Sequence, residues 1–214
     1  MTRRLRGTRQ TTQPPSTMSK ILPLLLAVAG ALLGASGAQA QDAAAGEKKA
    51  AMCIGCHGIK GYQSSFPQVH KVPMISGQNA KYIVAALTAY KKGERRHPSM
   101  RGIAGSLTEQ DMADLGAYYE QHGASMIKTV AEAPAVAPSP AVAELLTRGA
   151  CASCHGANYS KPIDGSYPKL AGQHADYLSV ALNAYAIGAQ PQTGRSNAIM
   201  GAQVKQFNRA ELKA

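Results

Sequence analysis

Cys53-Ile54-Gly55-Cys56-His57 recurs as Cys151-Ala152-Ser153-Cys154-His155, and these two pentapeptides account for all four cysteines of the 214-residue chain. Two thiols three positions apart can each form a thioether to one vinyl group of a single porphyrin. The histidine directly after them then reaches the iron from one side of the ring. The pattern predicts two c-type haems held covalently through Cys53, Cys56, Cys151 and Cys154, with His57 and His155 as proximal iron ligands. Two rival readings of CxxC fit less well. A thioredoxin-like redox site requires alternating strands and helices around it, and no strand-like run of β-branched residues adjoins either copy. A single four-cysteine zinc site leaves the two trailing histidines unexplained.

The repeat extends beyond the haem motifs. Val72-Pro73-Met74-Ile75-Ser76-Gly77-Gln78 matches Tyr167-Pro168-Lys169-Leu170-Ala171-Gly172-Gln173. Tyr82, Leu87, Ala89, Tyr90 and Gly93 then match Tyr177, Leu182, Ala184, Tyr185 and Gly188, so the chain is a duplicated domain. Alanine-rich helices over 43 to 56 and 141 to 154 are expected to run into the two haem motifs. Ile83, Ala86, Leu87 and Tyr90, like Leu178, Ala181, Leu182 and Tyr185, repeat at helical spacing and predict a middle helix ending near Gly93 and Gly188. Thr108 and Asp111 read as the cap of a last helix carrying Met112, Leu115 and Tyr119, with Gly123 as its stop. In the second copy Asn208, Glu211 and Leu212 begin the same helix, but the chain reaches Ala214 within two turns. So small a domain has little core to spare, so the sequence predicts a loosened second domain for a protein ending there, and a longer natural product. The fold class expected is all-α, two tandem cytochrome c-like domains of which the second lacks most of its C-terminal helix.

The amino end carries Arg3, Arg4, Arg6, Arg9 and Lys20, then the apolar run from Ile21 to Leu33 and small residues ending in Ala38-Gln39-Ala40. This reads as an export signal, residues 1–40, with Met18 as an alternative start. The apolar run is shorter than the roughly 20 residues a spanning helix needs. Domain 1 then occupies 41–128, a Pro/Ala-rich linker 129–140 and domain 2 141–214. Within the linker, Pro134, Pro138 and Pro140 exclude helix and favour an extended, semi-rigid spacer. Formal charge is +11; without the signal, 18 basic residues face 12 acidic ones. With two haems, this basic balance points to an acidic redox partner and not to nucleic acid. Lys91-Lys92-Gly93-Glu94-Arg95-Arg96-His97 marks the face beside Met100 as a candidate docking surface, whereas 186–196 carries only Arg195.

The sixth iron ligand separates carriers from catalysts. A methionine sulfur closes the iron and favours the reduced state, while an open position lets small ligands react. Met200 is the one methionine after Cys151, and Met100 holds the corresponding place in the first copy. Both are expected in a loop between the middle and last helices. Met74 matches Lys169 and reads as packing or surface, Met112 reads as core, and Met52 and Met126 have no counterparts. His70, His97 and His174 are the alternative distal ligands.

On these motifs the chain, over residues 43 to 214, resembles the dihaem cytochrome c4 family: CxxCH, Pro-x-x-x-Gly-Gln, the middle-helix tyrosine and a late methionine each occur twice. The resemblance implies two cytochrome c domains about an approximate twofold axis with the haems facing each other. It also implies Pro73 and Pro168 carbonyls as partners of the haem histidines. Finally it implies a periplasmic respiratory electron carrier, often membrane-associated, between quinol:cytochrome c reductase and a haem-copper terminal oxidase. Two departures stand out, the missing last helix and five extra residues between Gln173 and Met200. The competing functions are a cytochrome subunit of a dehydrogenase complex and a dihaem enzyme such as a peroxidase or a thiosulfate-oxidising protein. The latter needs an open iron with acid-base residues around it, and no such pocket is marked.

Overall fold

The computed structural model describes residues 40–124 and 136–214. The proposed export signal, Met126 and the first part of the linker therefore lie outside the described residues. Helix α1 (Ala43–Lys49) is capped by the Asp42 carboxylate, which accepts from the Ala44 and Ala45 amides. A bend at Ala50 leads into α2 (Ala51–His57), which carries the first haem motif. A two-stranded antiparallel ribbon follows, β1 (Gln63–Ser64) with β2 (His70–Lys71). It is the one departure from an all-helical first domain, and too short for any β-branched run to announce it. Next come α3 (Ala80–Lys92), ended by Gly93 in the left-handed conformation, α4 (Pro98–Gly105) and α5 (Glu109–Ala124).

Helices α1 and α3 both pack on α5. The crossings are close because glycines remove the intervening side chain. A Cβ on Gly46 would stand 2.1 Å from the Asp114 carbonyl oxygen, and one on Gly123 would stand 1.7 Å from the Gly77 nitrogen. Gly123 lies in the last described turn of α5, next to its end at Ala124, and lets the Pro-x-x-x-Gly-Gln segment lie directly on the helix, where the Gly77 amide donates to the Tyr119 carbonyl at 2.7 Å. Around these crossings Ala50, Ile83, Leu107, Met112, Leu115 and Tyr119 form the principal core cluster.

The second copy repeats the order with α6 (Pro140–Arg148), α7 (Ala152–His155), α8 (Ala175–Ile187) and α9 (Ala198–Val204). Residues 209–213 form turns where the first copy has α5. Their start is nevertheless capped in the same way. Asn208 and Glu211 exchange side-chain-to-amide hydrogen bonds (2.7 and 3.0 Å) just as Thr108 and Asp111 do (2.9 and 3.1 Å). Phe207 under Arg148, the Arg148–Glu211 ion pair and buried Leu212 hold this end to α6. The five extra residues fall between Gly188 and Gly194, where the positive φ of both glycines folds the insertion back on itself. Beyond it Arg195 regains the place that Arg95 has in the first copy.

The two copies meet along a seam with paired contacts. Gln78 accepts from the Lys169 amide at 2.9 Å and donates to its carbonyl at 3.0 Å. Gln173 does the same to Met74, at 3.0 and 2.9 Å. Because Gln78 matches Gln173 and Met74 matches Lys169, these four bonds are one contact used twice about a twofold axis. The Arg96 amide donates to Gly194 and the Ser196 amide to Glu94, bringing Arg95 and Arg195 into an antiparallel bridge.

Candidate functional site

Each haem motif ends a short helix, and each histidine ring is fixed by a carbonyl of the downstream proline segment. His57 Nδ1 lies 2.8 Å from the Pro73 oxygen and His155 Nδ1 lies 3.0 Å from the Pro168 oxygen. A carbonyl can only accept, so Nδ1 carries the proton and Nε2 keeps its lone pair for a metal. Burial also holds the His57 imidazole below its ordinary pKa, against the raising effect of the Pro73 contact. The neutral, ligating form is therefore the one present at neutral pH.

Met100 and Met200, which line the same cavity as these histidines, are not in loops. Each sits in the first turn of a short helix, α4 or α9, and its own amide is held by the N-cap side chain. The Met100 amide donates to His97 Nδ1 at 3.4 Å and the Met200 amide to Asn197 Oδ1 at 2.9 Å. The cap residues His97, followed by Pro98, and Asn197 precede each methionine in the sequence and are the local signal for these helices. His97 is thus engaged as a cap and packs edge-on against Phe66. His70 is buried, bound to the Gln68 carbonyl and stacked on Tyr177. Met112 is core and Met74 is exposed, as expected.

One cavity of ≈ 1260 Å³ is lined by Cys53, Cys56, His57 and Met100 together with Cys151, Cys154, His155 and Met200. No disulfide ties any of the four thiols. Among the described residues no group of three or more His, Cys, Asp or Glu side chains converges on a point that could hold a metal ion. The apolar walls Ile75, Ile83, Leu87, Ile103, Leu170, Leu178 and Leu182 suit a flat apolar macrocycle. The buried Arg96 Nε, without a hydrogen-bond partner among the described residues, suits its polar substituents. The residues present therefore fit haem c.

The basic run before Met100 is not the open docking surface its sequence suggests. Arg95 is 9% exposed, with its guanidinium over the Tyr82 and Tyr90 rings, and Arg96 reaches the Pro191 carbonyl across the seam. Lys91 donates to the Leu107 carbonyl, which leaves Lys92 as the exposed cation without such a contact. The reason is the pairing of 94–96 with 194–196, which turns alternate side chains into the interface. Arg195 is its counterpart, over Tyr177 and Tyr185. Burial pushes the Tyr177 and Tyr185 phenols up, but Arg195 and Arg95 outweigh it and leave both below the ordinary tyrosine value.

The cytochrome c family model matches residues 43–122 and again 141–214. Cytochrome c4 of Pseudomonas aeruginosa is 32% identical over 196 residues, covering 90% of this chain and 94% of that protein. A thiosulfate dehydrogenase electron acceptor of Stutzerimonas stutzeri is 30% identical, covering 88% and 90%. The crystal structure of reduced cytochrome c4 from Pseudomonas stutzeri superimposes with a TM-score of 0.59 at 29% identity, over 81% of this chain and 95% of that one. Paired His–carbonyl contacts, paired methionine caps and a match in both halves have one common explanation: the chain belongs to the dihaem cytochrome c4 family, electron-transfer proteins carrying two covalently bound haem c groups.

Proposed function

We propose that the chain is a periplasmic carrier that takes electrons from a quinol:cytochrome c reductase and delivers them toward a terminal oxidase, through two irons ligated by His57 with Met100 and His155 with Met200. When bound, haem c supplies a one-electron couple between ferric and ferrous iron. The protein's part is to hold still. Cys53, Cys56, Cys151 and Cys154 anchor the macrocycles, and the Pro73 and Pro168 carbonyls orient the histidines. His97 and Asn197 fix the turns that present the methionine sulfurs, which raise the potential. Electrons then pass without any substrate reaching the metal. Because haem c is attached after export, this reading has the mature chain, from about residue 41, working in the periplasm. No helix among the described residues is long and apolar enough to cross a membrane.

The observation that carries this reading is the recurrence of the whole ligand apparatus: histidine, carbonyl, capped helix turn and methionine stand in matching places in both domains. Optical and magnetic spectra of the oxidised holoprotein test it. Two low-spin haems with the weak red band of methionine-to-ferric charge transfer are expected, and M100A and M200A should each abolish about half of that band. Native high-spin iron, or a band untouched by either substitution, would instead favour a catalyst or histidine ligation.

A second donor is favoured by the likeness to thiosulfate dehydrogenase electron acceptors, 30% identical across 88% of the chain. In this second reading the chain, loaded with haem c, would accept electrons from a thiosulfate dehydrogenase. Rapid reduction of the purified protein by such an enzyme, and slow reduction by the quinol-driven reductase, would establish this donor over the first.

A further inference from the structure

The second domain touches the first at one more place, the β1–β2 ribbon. Helix α8 packs on β2, where the Asp176 carboxylate accepts from the Lys71 amide at 3.0 Å and stands 3.6 Å from Lys71 Nζ. Beside it the Tyr177 ring stacks on His70, with centroids 6.2 Å apart. β2 is paired with β1 in a register that sets Ser64 opposite His70. The Ser64 hydroxyl donates to the Phe66 carbonyl at 3.2 Å and accepts from the Phe66 amide at 3.4 Å, which holds Phe66 to the end of β1. Phe66 meets the His97 ring edge-on at 5.9 Å, and His97 Nδ1 accepts from the Met100 amide. Two short strands do not hold a shape by themselves; this pair is braced by α8 of the opposite domain.

The twofold relation does not repeat the arrangement. In the register in which Val72 matches Tyr167, Lys71 and His70 match Ser166 and Gly165. Gly165 has no ring to offer Tyr82, the counterpart of Tyr177. The Ser166 amide is taken by Asp164 of its own loop at 2.7 Å. The place of Asp176 is held by Lys81, an ammonium that cannot accept from an amide. Among the described residues the loop before Tyr167 forms no paired strands.

Resting on the reading of Met100 as an iron ligand, we propose that Asp176 and Tyr177 of the second domain are positioning residues for that ligand of the first, holding the Met100 turn through the ribbon, Phe66 and His97. The links are contiguous packed and hydrogen-bonded groups, the kind of connection that carries position across a domain boundary. The edge-on Phe66 ring fixes the orientation of His97, and His97 fixes the first turn of α4 as its cap. The Met100 bond is therefore conditional on domain docking, whereas the Met200 bond is set by Asn197 within its own domain. Because the thioether raises the potential, only the first iron's potential follows the state of the seam.

Holoprotein with both haems attached tests this in the D176A, D176N, F66A and K81A variants. In the reduced protein each ligating methionine methyl gives its own haem-shifted NMR resonance, assigned with M100A and M200A; in the oxidised protein added imidazole competes with each methionine for iron. D176A removes the acceptor of the Lys71 amide. The Met100 resonance is expected to move and imidazole to bind the first haem several-fold more tightly, with the second haem unchanged in both respects. D176N keeps an acceptor oxygen and should return both readouts toward the parent. F66A breaks the chain of contacts inside the first domain and should reproduce D176A while proteolysis of the linker stays at the parental rate, which separates this effect from a general opening of the seam. K81A, at the mirror position, should leave the Met200 resonance as in the parent. A Met100 resonance and imidazole affinity unchanged in either D176A or F66A, or equal changes at both haems, would overturn the proposal. Fewer than two methionine resonances in the parent would instead overturn the ligand assignment on which it rests.

Discussion

Asp114 is the residue on which the first domain's helix crossing is tied. Almost fully buried, it accepts from the Asp42 amide at 3.0 Å, from Lys49 Nζ at 2.7 Å and from Gln110 Nε2 at 2.7 Å. Lys49, the Asp42 amide and Gln110 hold its carboxyl below the usual carboxylate range. A carboxylate lowered on folding contributes stability that is complete above its unfolded pKa of about 4 and is lost as pH falls toward the folded value. D114N is therefore expected to cost about 2 kcal/mol at neutral pH, with the difference from the parent shrinking on acidification below about pH 4; thermal melts across that range check it. No signal in the sequence singles out Asp114, since its three partners come from two helices and a cap. The haem cysteines and histidines were legible because covalent chemistry fixes their spacing within five residues. Arg95 is not legible for the opposite reason: a run of charges looks solvated until the segment bridged to it, around Arg195, is known.

Among the elements, the short helices that carry the methionines were read as loops, because seven or eight residues give too little periodicity to register. Their caps decide their placement. N197A removes the acceptor of the Met200 amide and should destabilise the first turn of α9 by about 1 kcal/mol. The methionine-to-iron band of the second haem is then expected to weaken on warming at a lower temperature than that of the first, as followed by variable-temperature optical spectra. The longer helices were legible from their apolar spacing, but their crossings were not. Gly123 looked like a stop because glycine commonly ends helices; here it is needed because another backbone occupies the place of its side chain. G123A would put a methyl group 1.7 Å from the Gly77 nitrogen, so α5 must move away from the Pro73–Gly77 segment. A loss of about 3 kcal/mol or more follows, together with a disturbed His57 environment, since Pro73 orients that ring. Denaturant unfolding and the haem spectrum of G123A would show both effects together.

At the scale of the molecule, duplication was plain from the paired motifs, whereas the seam was not, because it joins residues such as Gln78 and Lys169 that no local pattern relates. The twofold arrangement follows from chemistry once seen. A primary amide can accept from a backbone N–H and donate to a backbone C=O of the same residue, so one glutamine per copy suffices to pair the two proline segments. Those segments also orient the haem histidines, so the contact that docks the domains is continuous with the one that sets each iron's proximal ligand. Replacing both glutamines, Q78A with Q173A, removes four seam hydrogen bonds, at about 1 kcal/mol net for each. The ion pair of Lys71 with Asp176 is partly exposed and offsets little of that loss. Calorimetry of the doubly haem-loaded variant is therefore expected to resolve two unfolding transitions where the parent is expected to melt in one, with the lower one belonging to the second domain, since most of the buried apolar core lies in the first. Unchanged coupled melting in the double variant would transfer the docking energy to the Arg95–Arg195 cluster, whose removal in the same background would then have to separate the domains.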